Sequence, residues 1–187
     1  MRRLVLITLL LAPGYVHAAD AIRYEYRTLA ASKTSTMEKE MNEAAQAGFA
    51  FMAVMGGETA FGGKEVVIVM GRSSAAAAQM IYKLLAANKT STLEREMQQA
   101  AQEGFEYKGQ TVFESAFGGR EVSVIMQRNK SIAAKNSIYK LLAASKTSTI
   151  QKEISEAGGD GYQLAGMTVS KTAFGGSEVV CIMRREQ

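Results

Sequence analysis

Residues 82–105 read YKLLAANKTSTLEREMQQAAQEGF, and the fold follows from them. Tyr82 to Ala87 is a short, mostly apolar run that predicts a strand. Ser91 and Glu94 then have the spacing of a capping box, with Ser at the N-cap and Glu three residues on. Leu93, Met97, Ala100 and Ala101 fall on one face at i, i+4, i+7 and i+8, which predicts an amphipathic helix. Gly104 stands where that helix stops, because glycine adopts the left-handed conformation of a helix end most readily. Phe105 opens a second strand, Phe117-Gly118-Gly119 marks a turn, and Val122 to Met126 is a third strand. A nearly continuous apolar strand predicts a central place in its sheet or burial on both faces.

The same text occurs three times, at residues 26–70, 82–126 and 139–183, offset by 56 and then 57 residues without an internal gap. Of the 45 aligned positions, 18 are identical in all three copies, which is enough to assign one shape to each. Ser35 with Glu38 repeats the capping box, and Ser148 with Gln151 is its Gln variant. Met37, Met41, Ala44 and Ala45 repeat the helix face, and Gly48 and Gly161 repeat the stop. A unit of this size buries too little surface to be stable alone. The expectation is therefore α+β: three tandem βαββ repeats, with three helices and about nine strands, packed into one pseudo-threefold body. Its sheets are antiparallel-rich, with helices on one face. Repeat 1 spans 19–72, a linker and repeat 2 span 73–128, and a linker and repeat 3 span 129–187.

Tyr-x-x-Leu, an amphipathic helix, Glu-Ala-x-x-x-Gly-aromatic, a strand, a Gly-rich turn and a strand ending in Arg resemble the domain of unknown function 4177 family. The closest stretch runs from Glu156 through Ala157, Gly161 and Tyr162 to Leu164. The resemblance covers each copy. It implies small bacterial strand–helix–strand–strand units and carries over no catalytic residue. This chain departs from the family in having Phe or Tyr for its usual Trp, an apolar N-terminal leader and three fused copies.

Arg2 and Arg3, the apolar run from Leu4 to Ala12, and Val16-His17-Ala18 have the layout of a secretory signal peptide, residues 1–18. The expected location is secreted or periplasmic. The apolar run is too short for a spanning helix, which needs about 20 residues. Removing it takes away two arginines, the single His and the single Pro, and lowers the formal charge from +4 to +2. That charge is too small to point to nucleic acid. Without His, a Ser-His-Asp triad, a Cys-His dyad and the usual zinc sites fall away. Cys181 has no second Cys to pair with in the chain, and it aligns with Ile68 and Val124, so it reads as a buried aliphatic replacement. The 11 methionines fall largely at core-spaced positions and read as packing residues rather than copper ligands.

Two repeated motifs are candidate sites. Lys33-Thr34-Ser35, Lys89-Thr90-Ser91 and Lys146-Thr147-Ser148 precede helix N-termini, where free N–H groups and the macrodipole favour an anion. Phe61, Phe117 and Phe174, with Glu65, Glu121 and Glu178, belong to Ala-Phe-Gly-Gly-x-Glu turns that would form a partner-binding rim. Capping explains the first motif without a ligand, and turn chemistry explains the glycines of the second. Glu40, Glu96 and Glu153 recur on the helix, and with Glu65, Glu121 and Glu178 they read as salt-bridged to Arg72, Arg128, Arg185 or lysines on solvated faces; carboxylate hydrolysis is the weakest reading, because no nucleophile or positioned base accompanies them. The functional expectation is a secreted, non-enzymatic binding or structural module without cofactor or metal. It would present three similar loops to a protein or cell-envelope partner, with homo-oligomers allowed. The alternative is an anion-binding protein that uses the Lys-Thr-Ser helix starts.

Overall fold

The computed structural model describes residues 22–58, 64–74, 79–114, 120–171 and 176–187. Repeat 1 comprises β1 (Tyr24–Ala31), α1 (Thr34–Gln46), β2 (Ala50–Glu58) and β3 (Lys64–Ser73). Repeat 2 comprises β4 (Met80–Ala87), α2 (Thr90–Gln102), β5 (Glu106–Glu114) and β6 (Arg120–Asn129). Repeat 3 comprises β7 (Ser137–Ala144), α3 (Thr147–Gly159), β8 (Gln163–Lys171) and β9 (Ser177–Glu186). The chain is α+β, with three βαββ repeats. The expected signal peptide lies outside the described residues.

Each repeat builds one antiparallel three-stranded sheet, in the orders β1-β3-β2, β4-β6-β5 and β7-β9-β8. The apolar third strand is the central one in every sheet, because its branched residues pack on both sides of the ladder. The same bulge interrupts β2 between Phe51 and Ala53, β5 between Tyr107 and Gly109, and β8 between Leu164 and Gly166. Each helix ends alike. Gly48, Gly104 and Gly161 have φ of 84°, 83° and 84°, and the following aromatic N–H reaches back to Ala44, Ala100 or Ala157 at 3.0 Å. With the Gly48 N–H on the Ala45 carbonyl at 2.9 Å, this is a Schellman ending, for which glycine is the least strained residue.

Alternation along the central strands sorts the layers. Val66, Ile68 and Met70 point to α1, and Met37, Met41, Ala44 and Ala45 meet them. The other side of α1 meets the next repeat, through Tyr82, Leu84 and Ile125. The same holds one repeat on: α2 lies between Val122, Val124 and Met126 of its own sheet and Tyr139, Val180 and Ile182 of the following one. α3 packs on Cys181, Met183 and Leu142 of its own sheet through Ile150 and Ala157. The order is sheet, helix, sheet, helix, sheet, helix. Contacts therefore run in series from repeat 1 to 2 to 3, and among the described residues no substantial packing joins repeat 1 directly to repeat 3. Opposite the helices the sheets touch directly, β2 on β5 and β5 on β8. The approach is close there: a Cβ on Gly109 would lie 2.9 Å from the Phe51 ring, and one on Gly56 would meet the Val112 carbonyl.

Candidate functional site: the hairpin end of the stack

Strand register puts the helix starts and the glutamates of the second motif at one end of every unit. Ala31 pairs with Val66 and Glu58 with Lys64, so β1 finishes beside the end of β2 and the start of β3, and α1 starts there. Ala87 with Val122 and Ala144 with Val179 repeat the arrangement. Because β2, β5 and β8 lie side by side, three hairpin ends and three helix starts form a row. Glu65, Glu121 and Glu178 open the central strands at this end and are half-buried. Phe61, Phe117 and Phe174 lie outside the described residues.

The helix starts differ from the capping-box expectation. Lys33, Lys89 and Lys146 are the N-cap residues, extended in backbone and exposed, and no side chain caps any of the three helices. Thr34, Thr90 and Thr147 are the first helical residues, and Ser35, Ser91 and Ser148 are the exposed second ones. The Glu of the predicted box is occupied elsewhere. Glu38 Oε2 accepts the Leu84 N–H at 2.8 Å, and Glu94 Oε2 accepts the Leu141 N–H at 2.7 Å. Those N–H groups lie on the outer edges of β4 and β7 and have no strand to pair with. The helix-start N–H groups face water and lose less by going without a side chain.

A second side chain, four residues on, completes the clasp. Asn42 Oδ1 accepts the Tyr82 N–H at 2.9 Å while Asn42 Nδ2 donates to the Tyr82 carbonyl at 3.0 Å. Gln98 bridges Tyr139 N–H and the Ser137 carbonyl at 3.1 and 3.3 Å. α1 and α2 thus each cover the edge strand of the next repeat with one carboxylate and one carboxamide. In α3 the equivalents are Gln151 and Ser155, which bond to each other at 3.1 Å. The sequence carried this signal: Glu with Asn or Gln four residues on in two copies, and Gln with Ser in the last.

The opposite end collects cations on aromatics. Arg27 and Arg72 both lie over Phe49, Lys83 over Phe105, and Lys140 and Arg185 over Tyr162. Arg72 and Arg185 also donate to the Ala47 and Asp160 carbonyls at 2.9 Å, where a cation suits the helix C-terminus. Arg72 pairs with Glu25 at 2.6 Å. The recurrent Glu40, Glu96, Glu153, Glu65, Glu121 and Glu178 form no ion pair among the described residues, contrary to the salt bridges expected of them. An open groove of about 1300 Å³ runs between α2 and repeat 3, lined by Glu94, Arg95, Gln98, Lys140, Tyr162 and Arg185. Its walls mix both charges. Cys181 is buried, and burial pushes its thiol up, with the Glu153 charge adding to the shift. Among the described residues no helix is long and apolar enough to cross a membrane, and no cluster of three His, Cys, Asp or Glu side chains has metal-binding geometry. No protein-family profile, curated protein or solved structure matches the chain.

Proposed function

We propose that the chain is an exported, non-enzymatic binding or structural protein that presents its row of hairpin ends to a protein or cell-envelope component. The observation that carries this reading is the shared end: three copies of one hairpin and one helix start, held side by side by β2, β5 and β8. Repetition of one surface gives several weak contacts to one extended partner, which together bind far more tightly than any alone. The resemblance to the domain of unknown function 4177 family belongs to the same reading, since it implies a unit and no catalytic residue. Non-enzymatic action fits a chain whose only His lies in the expected leader and whose only Cys is buried.

The test is capture of envelope components on immobilised protein, comparing the natural chain with a Phe61→Ala, Phe117→Ala, Phe174→Ala variant. The expected result is loss of capture with an unchanged melting temperature. Capture retained by the variant rejects the hairpin reading. If it also weakens steeply with added salt and on Lys89→Ala, the uncapped helix starts are the anion sites of the alternative reading.

A further inference from the structure

The two junctions inside the chain are built from the same parts. A tyrosine opens the accepting strand, and its hydroxyl takes an N–H from the bulge of the preceding repeat: Phe51 N–H on Tyr82 and Tyr107 N–H on Tyr139, both at 2.8 Å. A glutamate on the preceding helix takes an edge N–H two residues further along the accepting strand. The two ends of the stack carry the two halves of a third such junction. Tyr26 aligns with Tyr82 and Tyr139, yet it is 60% exposed where they are 2% and 3%. Tyr24 stacks beside it, and Met52 and Met55 share its face of the first sheet. At the far end Leu164, Met167 and Val169 are exposed by 51–62%, on the face of the last sheet that also bears Met183, Cys181 and Val179. Among the described residues, seven of the nine large exposed hydrophobic side chains lie on these two faces.

The halves fit each other. Inside the chain, Gly109 faces the Phe51 ring and Gly166 faces Tyr107, so a ring is matched by a missing side chain. At the ends the position of Gly109 and Gly166 is Ala53, and the position of Phe51 and Tyr107 is Leu164. One side is larger and the other smaller, which conserves the fit. Gln151 stands where Glu38 and Glu94 stand, and its amide oxygen can take the outward N–H of Thr28, since its present contact with Ser155 is made through the amide nitrogen. Tyr26 can take the Leu164 N–H.

We propose that copies of this chain stack head to tail, the outer face of repeat 3 seating on the outer face of repeat 1 of the next copy. The occupant is a second copy because both halves of one junction stand on the same chain. The two patches differ, so the contact is heterologous, and every bound copy offers a fresh end. The proposal rests on junction geometry and not on the hairpin reading, so either can fail alone.

Sedimentation equilibrium on the naturally processed chain, from micromolar to millimolar concentration, is the test. The expected result is a series of species heavier than monomer, growing with concentration. Tyr26→Lys and Met167→Lys, each at an exposed position, separately abolish the series with no change in melting temperature. Mixing the two variants restores a one-to-one dimer that grows no further, because each keeps the end that the other lacks. A monomer at every concentration overturns the proposal. So does a dimer abolished by Tyr26→Lys but untouched by Met167→Lys, which is a symmetric pairing of front faces.

Discussion

The hydroxyl of Tyr82 accepts the Phe51 N–H, and that of Tyr139 accepts the Tyr107 N–H. Both N–H groups lie at bulges, where the ladder offers no carbonyl, and a buried N–H left without a partner costs about 1–3 kcal/mol. The phenols lose water in supplying that partner. Burial raises the pKa of Tyr82 and of Tyr139, each partly offset by the N–H it accepts. Burial, with the charge of Tyr139 second, pushes Tyr107 up to about 12. A raised pKa means that the folded state holds the proton longer than the unfolded chain, whose tyrosines titrate near 10. The stabilising contribution is therefore complete below pH 10 and is lost as pH rises from there toward 12. Urea midpoints measured across this range should fall for the natural chain, and fall less for Tyr107→Phe, which has no proton to lose at that position. Parallel curves would show that Tyr107 takes no part.

At the scale of elements, α1 and α2 are gripped from both sides, whereas α3 has a sheet on one side only. Glu94→Ala leaves the Leu141 N–H without an acceptor at a half-buried edge and should cost about 1–3 kcal/mol. Glu94→Gln keeps an acceptor oxygen and should recover most of that. In the monomer Gln151→Ala, at the same helix position but with no strand of its own chain beyond it, should change stability by less than about 0.5 kcal/mol. Chemical denaturation of the three variants checks the order, and an equal loss at residues 94 and 151 would contradict the clasp. Much of the fold was legible in the sequence. Periodicity located all three helices and nine strands, Gly48, Gly104 and Gly161 gave the helix ends, and the apolar run of residues 122–126 found the central strand. The capping box misled because Ser-x-x-Glu spacing is local, while the competitor for that carboxylate lies 46 residues away in the chain. Asn42 and Gln98 were missed for the same reason: an amide facing a strand edge looks like any polar residue on a helix until the neighbouring repeat is in place.

For the whole molecule, serial packing means that a repeat can be lost from the end without dismantling the others. Removing residues 131–187 strips α2 of Tyr139, Val180 and Ile182, each buried against it. Buried side chains of this size contribute about 1.5–3 kcal/mol apiece, so the loss is several kcal/mol, partly recovered as the exposed face of α2 relaxes. The first sheet, α1 and the second sheet keep every contact of their own junction. A chain ending after Lys130 should therefore still unfold cooperatively, with a lower urea midpoint and a denaturant slope reduced by roughly one third, because that slope scales with the surface exposed on unfolding. A fragment without cooperative unfolding would mean that repeat 3 supports repeat 1 through contacts other than the serial ones, and the stack would have to be redrawn as a closed body.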